Sequence, residues 1–216
     1  MKKIIFYFSL VALYAVPALA QNKHAKADVW IDRFDFEASG LRNNANHQTL
    51  GGESWTAFTD YTVNGESMVS KIYPIDNTEH GKVLELKYAL NQGKSKYNPY
   101  VALLCATQAA AYPKHIVYVA YDYKGPAHSF MFNTKDVTDF NYFRKEVPAS
   151  NDWTTVLIPL ADLKQTPTLA KGAPFNPEQL NGLEWFLQGV TGEAGSLRID
   201  NIRFVYTPIE GRNYQE

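Results

Sequence analysis

The sequence predicts an all-β fold, a β-sandwich, and three observations carry that expectation. Many short segments alternate apolar and polar residues at period 2, the pattern of half-buried strands. Gly, Pro and Asn punctuate these segments at short intervals. Helical signals are few. The stretch Trp30-Ile31-Asp32-Arg33-Phe34-Asp35-Phe36-Glu37 opens the alternating region. Leu197-Arg198-Ile199-Asp200-Asn201-Ile202-Arg203-Phe204 closes it, and both place acidic residues among β-formers, where Asp is otherwise depleted.

In order, strands are expected at 29–37, 54–59, 67–73, 82–90, 99–106, 115–123, 127–133, 140–147, 153–158, 183–188 and 196–206. The separators are Gly51-Gly52, Asn64-Gly65, His80-Gly81, Asn91-Gln92-Gly93, Lys124-Gly125-Pro126, Asn151-Asp152, Gly189 and Gly192. Pro177-Glu178-Gln179-Leu180 after Asn176 reads as one helical turn, with an Asn cap and Pro at its first position. Residues 165–177 read as a Pro-rich surface loop, and 106–111 as either a strand extension or a short turn.

The chain has 216 residues and a formal net charge of −1. Lys2 and Lys3, the apolar run Ile4 to Val16, and Ala18-Leu19-Ala20 have the layout of a secretory signal peptide over residues 1–20, cleaved after Ala20. The apolar run is too short to span a bilayer, which takes roughly 20 residues. No Cys follows the cleavage site to accept a lipid anchor. The expected locale is outside the cytoplasm, secreted or periplasmic, with no membrane anchor. Without Lys2 and Lys3 the chain has 19 basic and 22 acidic side chains, a net charge of −3, which is no footprint for nucleic acid. Cys105 is the single cysteine, so no internal disulfide forms, and its apolar surroundings read as core. The organisation expected is a polar leader at 21–28, one sandwich at 29–207 and a tail at 208–216.

Several landmarks fall in a fixed order. Trp55-Thr56-Ala57-Phe58-Thr59-Asp60 precedes Asn64-Gly65-Glu66-Ser67, then Gly81-Lys82-Val83-Leu84-Glu85-Leu86 and Tyr123-Lys124-Gly125. Asp152-Trp153-Thr154-Thr155-Val156-Leu157-Ile158-Pro159-Leu160 and Ile199-Asp200-Asn201-Ile202-Arg203-Phe204 complete the set. This order resembles the family-11 carbohydrate-binding modules and the complex I intermediate-associated proteins, over most of residues 30–206. The resemblance implies a galactose-binding-like β-jelly roll. It also implies a polysaccharide ligand of the β-glucan or plant cell-wall type, held in a concave sheet groove. Two features depart from the family pattern: Asn64-Gly65-Glu66 stands where a Gly-Gly turn is common, and 107–114 lacks a short Gly-rich entry.

Sugars are gripped by aromatic rings on their CH faces and by charge-assisted hydrogen bonds to their hydroxyls. Alternation sorts the candidates. In 115–123, Tyr118 and Asp122 oppose Val119, Tyr121 and Tyr123, and the family's core-facing Tyr-Lys-Gly turns Tyr118 and Asp122 toward the groove. In 140–147, Tyr142, Arg144 and Glu146 alternate outward. In 127–133, Met131 and Asn133 are placed outward. In 183–188, two registers stand open: either Trp185 is a surface platform, or Glu184, Phe186 and Gln188 face out. Tyr118, Asp122, Tyr142 and Arg144 are expected to cluster on neighbouring strands.

The resemblance further implies a structural calcium between the first and last strands, with Glu37, Asp200 and Asp35 as carboxylate ligands. The alternative is that Asp200 pairs with Arg198 or Arg203. The five His show no close ligand spacing, which argues against zinc. No Gly-x-Ser-x-Gly, phosphate loop or His-Glu-x-x-His occurs. An acid pair such as Asp122 with Glu146 is the nearest approach to a glycosidase. The reading is a non-catalytic carbohydrate-binding protein. A protein-interaction or assembly module, with other surface or secreted proteins as partners, and a small glycan-active hydrolase are the alternatives.

Overall fold

The computed structural model describes residues 29–32, 55–106, 116–167 and 172–206. Eleven strands are described: β1 (Val29–Asp32), β2 (Trp55–Thr59), β3 (Met68–Asn77), β4 (Gly81–Ala89), β5 (Tyr100–Ala106), β6 (Tyr118–Gly125), β7 (His128–Thr134), β8 (Phe143–Val147), β9 (Ser150–Pro159), β10 (Leu180–Gln188) and β11 (Ala194–Val205). They form two antiparallel sheets. One has the order β3-β4-β11-β6-β9, with β1 pairing to β11; the other has the order β2-β5-β10-β7-β8.

The expected strands occur with small shifts of their ends. Residues 33–37, 54, 107–111, the signal and leader, and the C-terminal tail lie outside the described residues. A 3-10 turn at Asp60–Val63 was not anticipated; the one at Pro177–Gln179 was, with the Asn176 side chain accepting from the Glu178 amide. Two adjacent strands in sequence, β6 and β7, belong to different sheets. Gly125, at φ 146°, lies so close to the Ser196 carbonyl that a Cβ would clash, and Pro126 follows it. The chain therefore leaves one sheet at this corner and enters the other.

The core fills the space between the sheets with the inward residues of each alternation. Trp185, Tyr121, Tyr123, Phe130, Phe132 and Phe204 are fully buried there. Trp185 stands 5.6 Å from Trp55 and meets Phe130 and Tyr121 edge-on at 5.5 and 5.4 Å. Aromatic pairs in such offset or edge-to-face arrangements add to the area they bury. Cys105 is buried among them, as its sequence context indicates.

One buried carboxylate ties the end of the sandwich together. Asp60 has 0% exposure and accepts from the Ser67 amide (3.0 Å), the Ser67 hydroxyl (2.8 Å) and the Tyr100 amide (3.1 Å). Gly65 is packed so tightly on its carboxyl group that no Cβ fits. The turn after β2, the start of β3 and the start of β5 thus share one acceptor. Hydrogen bonds to a charged group are worth about 1.5–3 kcal/mol, and orphaned buried amides cost further. Asp60→Ala is expected to lower the unfolding free energy by roughly 3 kcal/mol or more, read from urea denaturation. A loss below about 1 kcal/mol would show that the three donors find other partners.

Candidate glycan-binding face

The outward side of the five-stranded sheet is built from the register of its strands. Pairing across it sets Phe58, Ala102, Phe186, Ser129 and Glu146 in one row, and Thr56, Leu104, Glu184, Met131 and Arg144 in the next. Tyr100 opposite Gln188 lies on one flank of these rows, and Ala106, Gly182 and Asn133 on the other. At about 4.8 Å between strands, each row runs roughly 19 Å across the sheet. Ala102, Ser129 and Gly182 interrupt the large side chains with small ones.

The aromatics cluster where a ring could be stacked. Tyr100 and Phe186 have ring centroids 5.1 Å apart, and Phe58 is 38% exposed. Glu184 lies at the centre on β10 and is only 5% exposed. The Asn133 amide donates to its Oε2 at 2.8 Å. Burial pushes the Glu184 carboxyl above its ordinary range, while the Asn133 bond and the Arg144 charge pull the other way. The carboxylate's field reaches both flanks, since it helps raise the hydroxyls of Tyr100 and Tyr142, each displaced chiefly by burial. Glu146 is exposed and accepts from the Ser129 hydroxyl at 2.7 Å. Asn133 Oδ1 and Arg144 Nε are buried and have no hydrogen-bond partner among the described residues.

Of the residues expected from sequence, Asn133, Tyr142, Arg144 and Glu146 belong to this face. Trp185 does not. It is fully buried between the sheets, and of the two registers the one that turns Glu184, Phe186 and Gln188 outward is adopted. Leu183, Trp185 and Leu187 pair with the inward residues Cys105, Leu103 and Val101, so a surface Trp185 would strip the core of its largest side chain. Tyr118 and Asp122 also depart from expectation. They do alternate outward, but from β6, on the six-stranded sheet; they do not join Tyr142 and Arg144. The acid pair Asp122 and Glu146 is likewise split between the outer sides of two sheets, and no single bond can lie between them. Phe58, Tyr100, Glu184 and Phe186 complete the face. Glu184 and Phe186 were legible as one of two registers, whereas Phe58 and Tyr100 need the β2–β5–β10 pairing to reveal them.

Asp122 enters a different constellation. The ligating atoms of His80, Asp122 and Asp200 lie within 4.8 Å of one another. His80 Nδ1 is 3.1 Å from Asp200 Oδ2, and Asn201 Nδ2 lies 2.9 Å from one oxygen of each carboxylate. Thr155 donates to Asp122 at 2.6 Å, and Trp153 stacks on the His80 ring at 4.1 Å. Asn201 takes φ 52° at a register break in β11, which brings consecutive side chains to one side of the strand. The fold thus gathers a histidine with two carboxylates despite their wide sequence separation. Arg198 pairs with Glu85 at 2.9 Å, not with Asp200. Of the residues expected to hold calcium, Asp35 and Glu37 lie outside the described residues. Asp200 is described, and its neighbour is an imidazole nitrogen, a donor that suits borderline divalent ions better than the oxygen-seeking calcium.

No protein-family model matches the chain. Endoglucanase 3 of Fibrobacter succinogenes is 27% identical over 163 residues, 70% of this chain and 24% of that protein. The chain thus spans about a quarter of that relative's length. A family 11 carbohydrate-binding module of a cellulosomal cellulase of Clostridium thermocellum superposes with a TM-score of 0.59 at 15% identity, covering 88% of this chain and 100% of that one. A family 11 module from the same organism, in complex with a β-1,3-1,4-mixed-linked tetrasaccharide, superposes with a TM-score of 0.51 at 15% identity, over 70% of this chain and 88% of that one. Two antiparallel sheets in this arrangement give the chain the β-sandwich fold of the family 11 carbohydrate-binding modules.

Proposed function

We propose that this protein is an exported, non-catalytic module that binds β-linked polysaccharide across the outer side of its five-stranded sheet. One observation carries the reading: Phe58 and Phe186 share a row flanked by Tyr100, and the adjoining row contains Glu184 and Arg144 with Asn133 beyond it. Rings supply apolar platforms for sugar CH faces, and the buried carboxylate, amide and guanidinium supply directed bonds to hydroxyls. A surface built to hold a protein partner through an apolar patch has no use for a carboxylate buried at its centre, which costs free energy unless a ligand repays it. The neighbour bound to a mixed-linked tetrasaccharide and the endoglucanase relative support a β-glucan as ligand. The signal-like residues 1–20 support export to where such polymers are met.

Affinity electrophoresis of residues 21–216 in gels containing mixed-linkage β-glucan, xyloglucan, xylan or mannan tests the reading. Retardation by at least one β-glucan is expected. Phe186→Ala is expected to weaken it about tenfold, and Tyr118→Ala, on the other sheet, to leave it unchanged. No retardation in any gel would overturn the proposal. Loss of binding on Tyr118→Ala alone would move the site to the six-stranded sheet.

A further inference from the structure

Phe140 combines an exposed ring with a left-handed backbone. It is 78% exposed and takes φ 62°, a left-handed backbone that a bulky residue adopts only under constraint. The next residue supplies the constraint. The Asn141 amide donates to Asp139 Oδ1 at 3.1 Å, and its side chain donates to the Thr166 carbonyl at 2.8 Å. Its Oδ1 accepts from the Thr166 amide at 3.1 Å, and its carbonyl accepts from the Gln165 side chain at 2.7 Å. Beyond this clamp, Arg144 bridges to Lys164 in antiparallel fashion. The segment around 164–166 thus ties down the entry to β8, with an exposed aromatic ring at its tip.

The ring stands beside the glycan-binding face. Phe140 and Tyr142 meet edge to face, with centroids 6.4 Å apart at 89°. The pairing of β7 with β8 ends at Phe132–Phe143, and Asn133 and Tyr142 are the residues next to that last pair. Asn133 has its Oδ1 without a partner among the described residues, and so does Arg144 at its Nε. Here an exposed apolar ring and a half-buried phenol stand together where β8 begins. Backbone strain of this kind, held by surrounding bonds, clusters at ligand-binding sites.

We propose that Phe140 and Tyr142 form a terminal subsite for a β-linked glycan chain. One sugar ring lays its CH face against Phe140 while its hydroxyls meet the half-buried Tyr142 phenol beside it. The inference rests on the reading of the five-stranded sheet as the glycan-binding face and extends that face past its β8 edge.

Calorimetry with mixed-linkage β-glucan oligosaccharides on wild type, Phe140→Gly, Phe140→Trp and Phe186→Ala tests it. Glycine accepts a positive φ freely, so Phe140→Gly is expected to melt no lower than wild type. Its affinity is expected to fall about fivefold, whereas Phe140→Trp keeps wild-type binding. Wild-type affinity in Phe140→Gly, with weakened binding in Phe186→Ala, would overturn the subsite and leave the face intact. A marked drop in melting temperature for Phe140→Gly would assign the ring to folding and also overturn it. A wild-type protein that binds no β-glucan would sink the face and the subsite together.

Discussion

Glu184→Ala is expected to weaken glycan binding by at least about tenfold while leaving the fold intact. Glu184 occupies the middle of the middle strand of the five-stranded sheet, so a chain laid through the centre of that sheet passes over it. Its carboxylate is 5% exposed, held by Asn133 at 2.8 Å and facing the Arg144 charge. A sugar laid on top would exclude the remaining water, and hydroxyl bonds to an ionised acceptor gain strength in that drier setting. Loss of such bonds costs about 1.5–3 kcal/mol, or roughly 10- to 150-fold in affinity. Glu184→Gln preserves the shape and one acceptor, so a smaller loss, of about tenfold, is expected.

Stability is expected to move the other way. Burial raises the Glu184 pKa in the folded protein relative to the unfolded chain. The sign follows directly. The folded state binds this proton more tightly than the unfolded chain does, so Glu184 costs stability at neutral pH and that cost fades as pH falls through the raised pKa. Glu184→Gln removes the buried charge and is expected to melt at or above the wild-type temperature at pH 7. Weaker binding together with undiminished stability is the signature of a residue retained for its ligand. Isothermal calorimetry paired with thermal melts reads both quantities. A Glu184→Gln protein that binds as well as wild type would remove Glu184 from the site, and one that binds weakly only because it melts lower would make it structural.

The strands were legible because period-2 alternation states which side chains share a face of a strand. Alternation is silent about which sheet the strand joins. Tyr118 and Asp122 were correctly turned outward, yet the corner at Gly125 and Pro126 separates β6 from β7, and with it those residues from Tyr142 and Arg144. In β10 the ambiguity was different. Trp185 and Phe186 are adjacent aromatics, and hydrophobicity does not choose between them. The pairing of Trp185 with Leu103 and Phe130, both core residues, decides it. His80 stands 120 residues before Asp200, and only the β3–β4 turn brings the two together. Long-range pairing is set by packing of the whole chain, which no local pattern encodes.

Acid is expected to destabilise the fold through His128. This imidazole is 3% exposed, between the sheets. Its Nδ1 lies 3.0 Å from the Pro126 carbonyl and its Nε2 2.9 Å from the Tyr121 hydroxyl. A neutral ring that donates from Nδ1 and accepts at Nε2 satisfies both contacts; a protonated one would present a second N–H to the Tyr121 hydroxyl and bury a charge among aromatic rings. Burial accordingly lowers its pKa from the ordinary 6.5 to about 4, against a smaller opposing effect of the Pro126 carbonyl. The unfolded chain takes up this proton near pH 6.5 while the folded chain resists until about pH 4. Stability is therefore fully present above pH 6.5 and is lost as pH falls toward 4, by about 3 kcal/mol in all. For a domain of this size that corresponds to roughly 10 °C in melting temperature. His128→Phe lacks the titrating group, so it is expected to melt lower at pH 7, where Tyr121 loses its partner, but to fall less between pH 7 and pH 4.5. Glu184 titrates in both proteins and cancels from the comparison. Equal losses in the two would acquit His128. A flatter profile for the variant would locate the acid sensitivity at the Tyr121–His128 bond, one residue from Ser129 on the outer side of the five-stranded sheet, so that acid weakens the core directly beneath the proposed site.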